Sequence, residues 1–270
     1  WWVASYSALA SREQEGTQVA ETPTEDVLRE LLASPDTDTL DDEDTQNAED
    51  NAPAGAAVSQ GVLHTFPRGA HAGTFLHDLL EWAAAEGFER VAAHPERVRD
   101  TVARRCQLRG WEAFVEPLTA WLLGLLDTPL ALPTHAGTPV TPVRLASLTE
   151  TVAEMEFWLS ATQVPAEAID RLVTRHTLGG AARPALMPRQ LNGMLKGFID
   201  LVFAPDGRYY VADYKSNWLG EDDAAYTREA MARAVLEARY DLQYVLYTFA
   251  LHRLLKSRLA DYDYDEHVGG

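Results

Sequence analysis

Residues 197–220 decide the fold, and they read GFIDLVFAPDGRYYVADYKSNWLG. The segments 195–203 and 208–216 are rich in β-branched and aromatic residues, which predicts two strands. Asp206 and Gly207 lie between these segments, and Asp-Gly is a strong signal for a tight hairpin turn. Helical patterns surround the hairpin, so the sequence predicts an α/β or α+β domain.

Apolar periodicity places the other elements. A short stretch with alternating polarity predicts a strand at 148–159. Recurrence of apolar residues at helical spacing predicts six helices, at 74–86, 95–108, 112–126, 165–175, 224–238 and 242–255.

The hairpin carries two acids and a lysine. Strand side chains alternate between faces, so Asp213 and Lys215 share a face and Tyr214 takes the other. A two-residue turn pairs Asp200 with Asp213, whereas a four-residue turn pairs Asp200 with residue 211. Both registers place Asp200 on the face that carries Asp213 and Lys215.

This juxtaposition is suited to metal-assisted hydrolysis of a phosphodiester. Two neighbouring carboxylates repel each other unless a cation lies between them or one carboxylate holds a proton. Carboxylate oxygens suit Mg²⁺ or Mn²⁺, and a nearby lysine can hold a water or a phosphate oxygen. On spacing alone, the alternative that Asp213 and Lys215 merely neutralise each other on the hairpin surface is favoured.

The composition of the 270-residue chain excludes several kinds of site. One cysteine, Cys106, cannot form an internal disulfide, a cysteine-ligated zinc site or an iron–sulfur cluster. It is predicted to be a half-buried apolar residue, and low cysteine usage fits a cytoplasmic protein. The chain has neither a Walker-type Gly-x-x-x-x-Gly-Lys-Ser/Thr motif for ATP nor an apolar run of the ~20 residues that span a membrane.

The net charge of −18 is concentrated in one segment. Fourteen acidic residues and one basic residue, Arg29, lie within 13–60, so the imbalance says little about the rest of the chain. A segment so acidic and so poor in aromatic residues predicts a flexible linker or insertion. The alternative is that it mimics nucleic acid and competes for a basic groove.

Several stretches carry a family resemblance: FPRGA at 66–70, GTFLH at 73–77, EMEF at 154–157, GFIDLVF at 197–203, YYVADYKSNWLG at 209–220, RYDLQY at 239–244 and ADYDY at 260–264. Together they resemble the nuclease domain of the RecB family. These proteins are β subunits of the bacterial RecBCD enzyme, exodeoxyribonuclease V, in the PD-(D/E)XK nuclease superfamily. The resemblance covers residues 61–270 and Ser5-Tyr6-Ser7, and it implies an α/β fold whose mixed β-sheet has a central hairpin flanked by helices.

The resemblance also implies a role for each site residue. Asp200, Asp213, the imidazole of His77 and the backbone carbonyl of Tyr214 would hold Mg²⁺, for which Mn²⁺ is a possible substitute. Lys215 would position or activate the attacking water, and Glu154 would be an acidic helper at the site. Gln243 and Tyr247 would contact DNA or support the metal ligands.

Without the resemblance, these residues have plainer interpretations. A lone histidine such as His77 usually belongs to the core or the surface, and Gln243 and Tyr247 are suited to packing. Spacing does not separate Glu154 from Glu156, because both lie on the same face of the predicted strand. Most aromatic residues in 209–249 are interpreted as hairpin and helix core, with base stacking as the alternative.

The implied function is that of a DNA exonuclease in double-strand break repair and recombination. Its implied substrate is single-stranded DNA from unwound duplex ends, and its implied partners are a helicase in the same parent chain and RecC-like and RecD-like subunits. Residues 1–12 would start the nuclease region, 13–60 would be the acidic linker, and 61–270 would be the nuclease domain, continuing beyond Gly270. The competing hypothesis is a non-catalytic module that binds DNA or subunits. Because twenty of the 23 basic residues are arginine, we also expect a groove of arginines for DNA.

Overall fold

The computed structural model describes residues 63–133 and 140–270, together with the backbone of residues 2–4. The predicted acidic segment at 13–60 lies outside the described residues, so its boundaries stay a prediction. Among the helices in the described part of the chain, none is long and apolar enough to cross a membrane.

Four helices form a first layer, and glycine or proline marks several of their ends. Gly69 (φ 99°) precedes the first helix and Gly87 (φ 90°) ends it, at angles that only glycine adopts without Cβ strain. Pro95 starts the third helix, where a missing N–H leaves no helical bond unmade. The helices are α1 (Ala70–Glu86), α2 (Phe88–Ala92), α3 (Pro95–Gln107) and α4 (Val115–Asp127).

The apolar faces of these helices form one core. Phe75, Leu79, Leu118 and Leu122 are fully buried in it. Cys106 is also fully buried there rather than half-buried as predicted, and burial raises the pKa of its thiol. A buried thiol of raised pKa has little thiolate, so Cys106 acts as a packing residue.

A four-stranded mixed sheet lies beside this layer, and its strands are β1 (Trp2–Ala4), β2 (Thr151–Pro165), β3 (Gln190–Phe203) and β4 (Tyr210–Ala212). β3 is central: β2 runs antiparallel to it along its length. On the other edge of β3, β1 pairs in parallel near the start and β4 pairs antiparallel at the end. The predicted strand at 148–159 is confirmed, and it extends further, to Pro165.

The β3–β4 hairpin closes with the two-residue register. Leu201 lies opposite Ala212 and Phe203 lies opposite Tyr210. Asp206 (φ 53°) and Gly207 (φ 76°) both have positive φ, as the two central residues of a type I′ turn require. Continued by one residue, this register places Asp200 opposite Asp213.

β4 is shorter than the predicted strand at 208–216, because it ends at Ala212. The backbone N–H of Tyr214 donates to the side-chain Oδ2 of Asp200 at 2.7 Å. A side-chain acceptor thus takes the place of a carbonyl of the neighbouring strand, and the ladder stops there. The prediction of a continuous strand through Asp213 and Lys215 was therefore wrong.

The second helical layer covers the opposite face of the sheet. Ile199 and Phe157 pack there against Leu251, whereas Leu201 and Phe203 pack against the first layer. The helices are α5 (Ala166–His176), α6 (Arg228–Glu237), α7 (Tyr240–Arg258) and α8 (Tyr264–His267). The predicted α/β fold, a mixed β-sheet with a central hairpin flanked by helices, is therefore confirmed.

Candidate active site

Three acidic residues lie in one row across neighbouring strands. On β2, Ala153 and Met155 pair with Leu201 and Ile199, so Glu154 between them lies opposite Asp200. Asp213 continues the row just beyond β4. Glu154 has φ 47°, a left-handed angle that is uncommon for glutamate and that often marks functional positions.

Asp200 is held from two directions. Its side chain is 13% exposed, and its Oδ2 accepts the N–H of Tyr214 at 2.7 Å. His77, on α1, places Nδ1 3.5 Å from the same oxygen. The helical layer and the hairpin therefore meet at this carboxylate.

Asp213 uses both of its carboxylate oxygens. Oδ2 forms an ion pair with Nζ of Lys215, and Oδ1 accepts from Nε2 of Gln243 at 3.0 Å. Nε2 of Gln243 also donates to the hydroxyl of Tyr247 at 2.8 Å. The Asp213–Lys215 ion pair, which the interpretation of mutual neutralisation on the hairpin surface requires, is therefore present. Gln243 contacts the site at Asp213, and Tyr247 contacts Gln243.

Two carboxylates of this row, those of Asp213 and Glu154, have raised pKa values. Burial raises the pKa of Asp213, although the hydrogen bond and charge of Lys215 act in the opposite direction. Partial burial, followed by the charges of Asp200 and Glu81, raises the pKa of Glu154 to about 7. Glu154 is an exposed residue, so solvent screens part of this effect.

The donor chemistry fits a hard divalent cation. Two carboxylates and an imidazole meet here, and the buried Oε1 of Gln243 has no hydrogen-bond partner in the described part of the chain. Across residues 63–133 and 140–270, no three His, Cys, Asp or Glu side chains already form a group that could hold a metal. Lys215 and the N–H of Tyr214 engage the carboxylates that would bind the ion.

Sequence reasoning missed Glu81. It lies one helical turn after His77 on α1, and its charge raises the pKa of Glu154. The i,i+4 spacing of His77 and Glu81 is the signal that would have found it, because such residues share a helix face.

A buried charge cluster, also missed, fixes the start of α7. Arg183 and Arg239 both bind the carboxylate of Asp241, which is fully buried, and Arg239 also binds Asp170. Arg239 has φ 59° and precedes the first residue of α7. Because Asp241 lies two residues before Gln243, the cluster sets the place from which Gln243 reaches Asp213.

A cleft of about 650 Å³ opens beside the row of acids. His77, Tyr214 and Lys215 line it, and so do aromatic residues. Among the aromatic residues of 209–249, Tyr210 and Tyr247 are buried in the core, whereas Tyr214, Trp218, Tyr226 and Tyr240 line this cleft. The expected groove of arginines is not found here, since Arg68 is the only arginine among the described residues of the lining.

The sequence matches a known protein family over most of its length. A family profile described as the PD-(D/E)XK nuclease superfamily matches residues 58–264. The chain therefore belongs to the PD-(D/E)XK nuclease superfamily.

Individual relatives of the chain are RecB subunits of the RecBCD enzyme. The chain is 42% identical over 274 residues to the RecBCD enzyme subunit RecB of Escherichia coli (strain K12), with all of this chain and 20% of that protein covered. The RecB subunit of Haemophilus influenzae is 35% identical, over 86% of this chain and 18% of its own length. That of Mycolicibacterium smegmatis is 31% identical, over 81% and 22%. The chain thus spans about a fifth of the length of these relatives, and it is consistent with a RecB nuclease domain.

Proposed function

We propose that this chain is a Mg²⁺-dependent DNA nuclease domain that hydrolyses phosphodiester bonds of single-stranded DNA. One observation carries the proposal: Glu154, Asp200 and Asp213 lie in one row across the sheet, with Lys215 paired to the last of them. Membership of a nuclease superfamily supports it.

His77, Asp200, Asp213 and the carbonyl of Tyr214 would hold the ion, and Mn²⁺ would substitute for Mg²⁺. When bound, a divalent ion polarises a phosphate oxygen and lowers the pKa of water. No thiolate set for an iron–sulfur cluster exists in a sequence with one cysteine, and the sequence has no ATP motif.

The protein side chains would divide the remaining work. Lys215, whose Nζ forms an ion pair with Asp213, would orient the attacking water and neutralise charge that develops on phosphate oxygens. Glu154, which lies opposite Asp200 beside the proposed metal ligands, would accept a proton from that water. Gln243 would hold Asp213 through Oδ1 and leave Oδ2 for the site chemistry.

The names of the relatives extend the proposal to the parent protein. We propose an exodeoxyribonuclease of the exodeoxyribonuclease V type in the cytoplasm, acting in double-strand break repair and recombination. Its helicase would lie in the same parent chain, its partners would be RecC-like and RecD-like subunits, and the acidic segment at 13–60 would tether the two activities.

The Asp213–Lys215 ion pair also supports a second candidate, a module that binds DNA or subunits without cutting. Cleavage of end-labelled single-stranded DNA, in Mg²⁺ and in EDTA, separates the two. We expect Mg²⁺-dependent cutting that is lost in Asp213→Ala and retained in Asp261→Ala, an exposed acid outside the site. Binding without cutting by the unaltered chain would favour the second candidate, and equal cutting by Asp213→Ala would refute the site.

A further inference from the structure

We propose that the cleft beside the acidic row is a base-stacking subsite, in which Trp218 stacks on a nucleobase of single-stranded DNA and Arg68 binds an adjacent phosphate. This inference rests on the proposed nuclease function and adds to it the residues that select single strands. The cleft is defined here by its lining, including Arg68, Trp218, Tyr226, Tyr240, His77 and Lys215.

The cleft is continuous with the catalytic residues. His77, Tyr214 and Lys215 belong both to the acidic site and to the cleft lining. Its volume of about 650 Å³ is within the range, roughly 300–1,000 Å³, of sites that enclose small organic molecules. An unpaired nucleotide whose neighbouring phosphate lies at Lys215 can therefore enter this concave surface. A paired and stacked duplex cannot enter it.

Aromatic rings provide surfaces for bases. Trp218 is 43% exposed, although burial of so large an apolar side chain is normally favourable. Tyr240 is fixed in place, because its hydroxyl donates to Oδ1 of Asn217 at 3.2 Å and its ring lies 4.6 Å from Nζ of Lys215. Every base has a π-face, so such rings bind single strands with little sequence preference.

The cleft lining carries both signs of charge. The guanidinium of Arg68 lies 3.8 Å from the ring centroid of Trp218, and no carboxylate among the described residues pairs with it. Asp223 is the acidic residue of the described lining, and Nε2 of His64 binds it at 2.7 Å. Arg68 and Lys215 therefore suit the phosphate backbone.

The start of α1 strengthens this assignment. Gly69 and Ala70 border the cleft, and Gly69, the N-cap residue of this 17-residue helix, has no side chain to cap the first N–H groups. Such groups attract anions. Arg68, which immediately precedes them, would thus place a phosphate near the helix while the attached base lies on Trp218.

The test measures fluorescence anisotropy of a labelled oligothymidylate, of its abasic analogue and of a blunt duplex, with Ca²⁺ replacing Mg²⁺. We expect the unaltered chain to bind the oligothymidylate more tightly than either comparison DNA. Trp218→Ala should weaken binding of the oligothymidylate by roughly 5- to 100-fold and leave the abasic analogue little affected. Trp218→Phe should restore most of the affinity, because it keeps an aromatic face.

Arg68→Ala has a different expected signature. It should weaken binding of both single-stranded DNAs and reduce the slope of log affinity against log salt by about 0.7, the value for one phosphate contact on a single strand. Phe249→Ala and Arg90→Ala are the matched controls, since Phe249 is 46% exposed and the side chain of Arg90 is 61% exposed outside the cleft. Neither control should alter binding.

Two results would overturn the subsite. One is equal affinity of the unaltered chain for the base-containing and abasic strands, which needs no variant to fold. The other is a Trp218→Ala protein, folded by circular dichroism, that keeps the full preference for bases. Failure of the proposed nuclease function would appear separately, as absence of Asp213-dependent cleavage in Mg²⁺ whatever the binding result.

Discussion

Glu154 is an acidic residue whose pKa is raised in the folded protein. Its pKa is raised to about 7 by partial burial and by neighbouring carboxylates, compared with about 4.3 in an unfolded chain. The folded protein therefore holds the proton more tightly than the unfolded protein does. This contribution to stability is complete below about pH 4.3 and is lost as the pH rises through about 7.

We therefore predict that Glu154→Gln makes the metal-free protein less sensitive to pH. In EDTA, the free energy of unfolding of the unaltered chain should fall relative to that of Glu154→Gln between pH 5 and pH 8. Urea unfolding at several pH values measures the difference, in which the shared contribution of Asp213 largely cancels. Parallel curves for the two proteins would contradict the raised pKa.

Lys215 offers the second prediction at this scale. Lys215→Ala should retain stabilisation by Mg²⁺, because the lysine is not a proposed ligand. Its rate of cleavage should fall by about 100-fold or more, because charge stabilisation at the phosphate is removed. The assay is cleavage of end-labelled single-stranded DNA beside a thermal melt, with the exposed Lys256→Ala as the control. Cutting at the unaltered rate would show that Lys215 has no part in the reaction.

Among the elements, the β2–β3 pair packs closely at Gly197. A Cβ atom added there would lie 2.5 Å from Cζ of Phe157. Gly197→Ala should therefore lower the free energy of unfolding by about 1–3 kcal/mol through overpacking. Urea denaturation monitored by circular dichroism measures this change.

Gly124 supplies the matched control. It is an exposed residue of α4, and a Cβ added there meets nothing within 4 Å. Gly124→Ala should raise the free energy of unfolding by about 0.5–1 kcal/mol, because alanine loses less backbone entropy in a helix. If both substitutions change the free energy of unfolding in the same direction, the contrast between the crowded site at Gly197 and the open site at Gly124 is wrong.

The sequence predicted most elements, because these follow from local patterns, but it left two hairpin registers open. Asp206-Gly207 selects a two-residue turn, and the turn then aligns Asp200 with Asp213. The early end of β4 was not predictable, since it depends on a hydrogen bond between Tyr214 and the side chain of Asp200. Such a competing bond leaves no trace in the alternation of polar and apolar residues.

Glu154 is a residue of the candidate site that sequence patterns alone did not identify. Alternation did not distinguish it from Glu156, and its assignment came only from the family resemblance. In the structure, the β2–β3 register supplies the difference, because Glu154 lies opposite Asp200 and Glu156 lies opposite Phe198. That register joins strands separated by a helix and the segment 177–189, so no local pattern encodes it.

At the scale of the whole molecule, a divalent ion should couple the helical layer to the sheet. His77 lies on α1, Asp200 on β3, and Asp213 after β4, so an ion bound by all three would stabilise only the native arrangement. At a concentration a hundredfold above its dissociation constant, Mg²⁺ should add about 2.7 kcal/mol to stability. The melting temperature should then rise on the order of 5–10 °C.

Differential scanning calorimetry in Mg²⁺ and in EDTA measures this rise. Asp200→Ala should abolish it, and the exposed Asp261→Ala should preserve it. A rise that survives in Asp200→Ala would mean that Mg²⁺ binds elsewhere, for example to the acidic segment.

The parallel pairing of β1 with β3 has a consequence for how such chains diverge. Trp2–Ala4 joins the sheet beside residues 193–195, while residues 5–62 connect this strand to the first helical layer. A one-residue insertion or deletion within either paired segment would shift the register by one position, and such a shift reverses the side-chain faces along a strand. As such chains diverge, changes of length are therefore expected outside these two segments, while the three-residue strand keeps its place in the sheet.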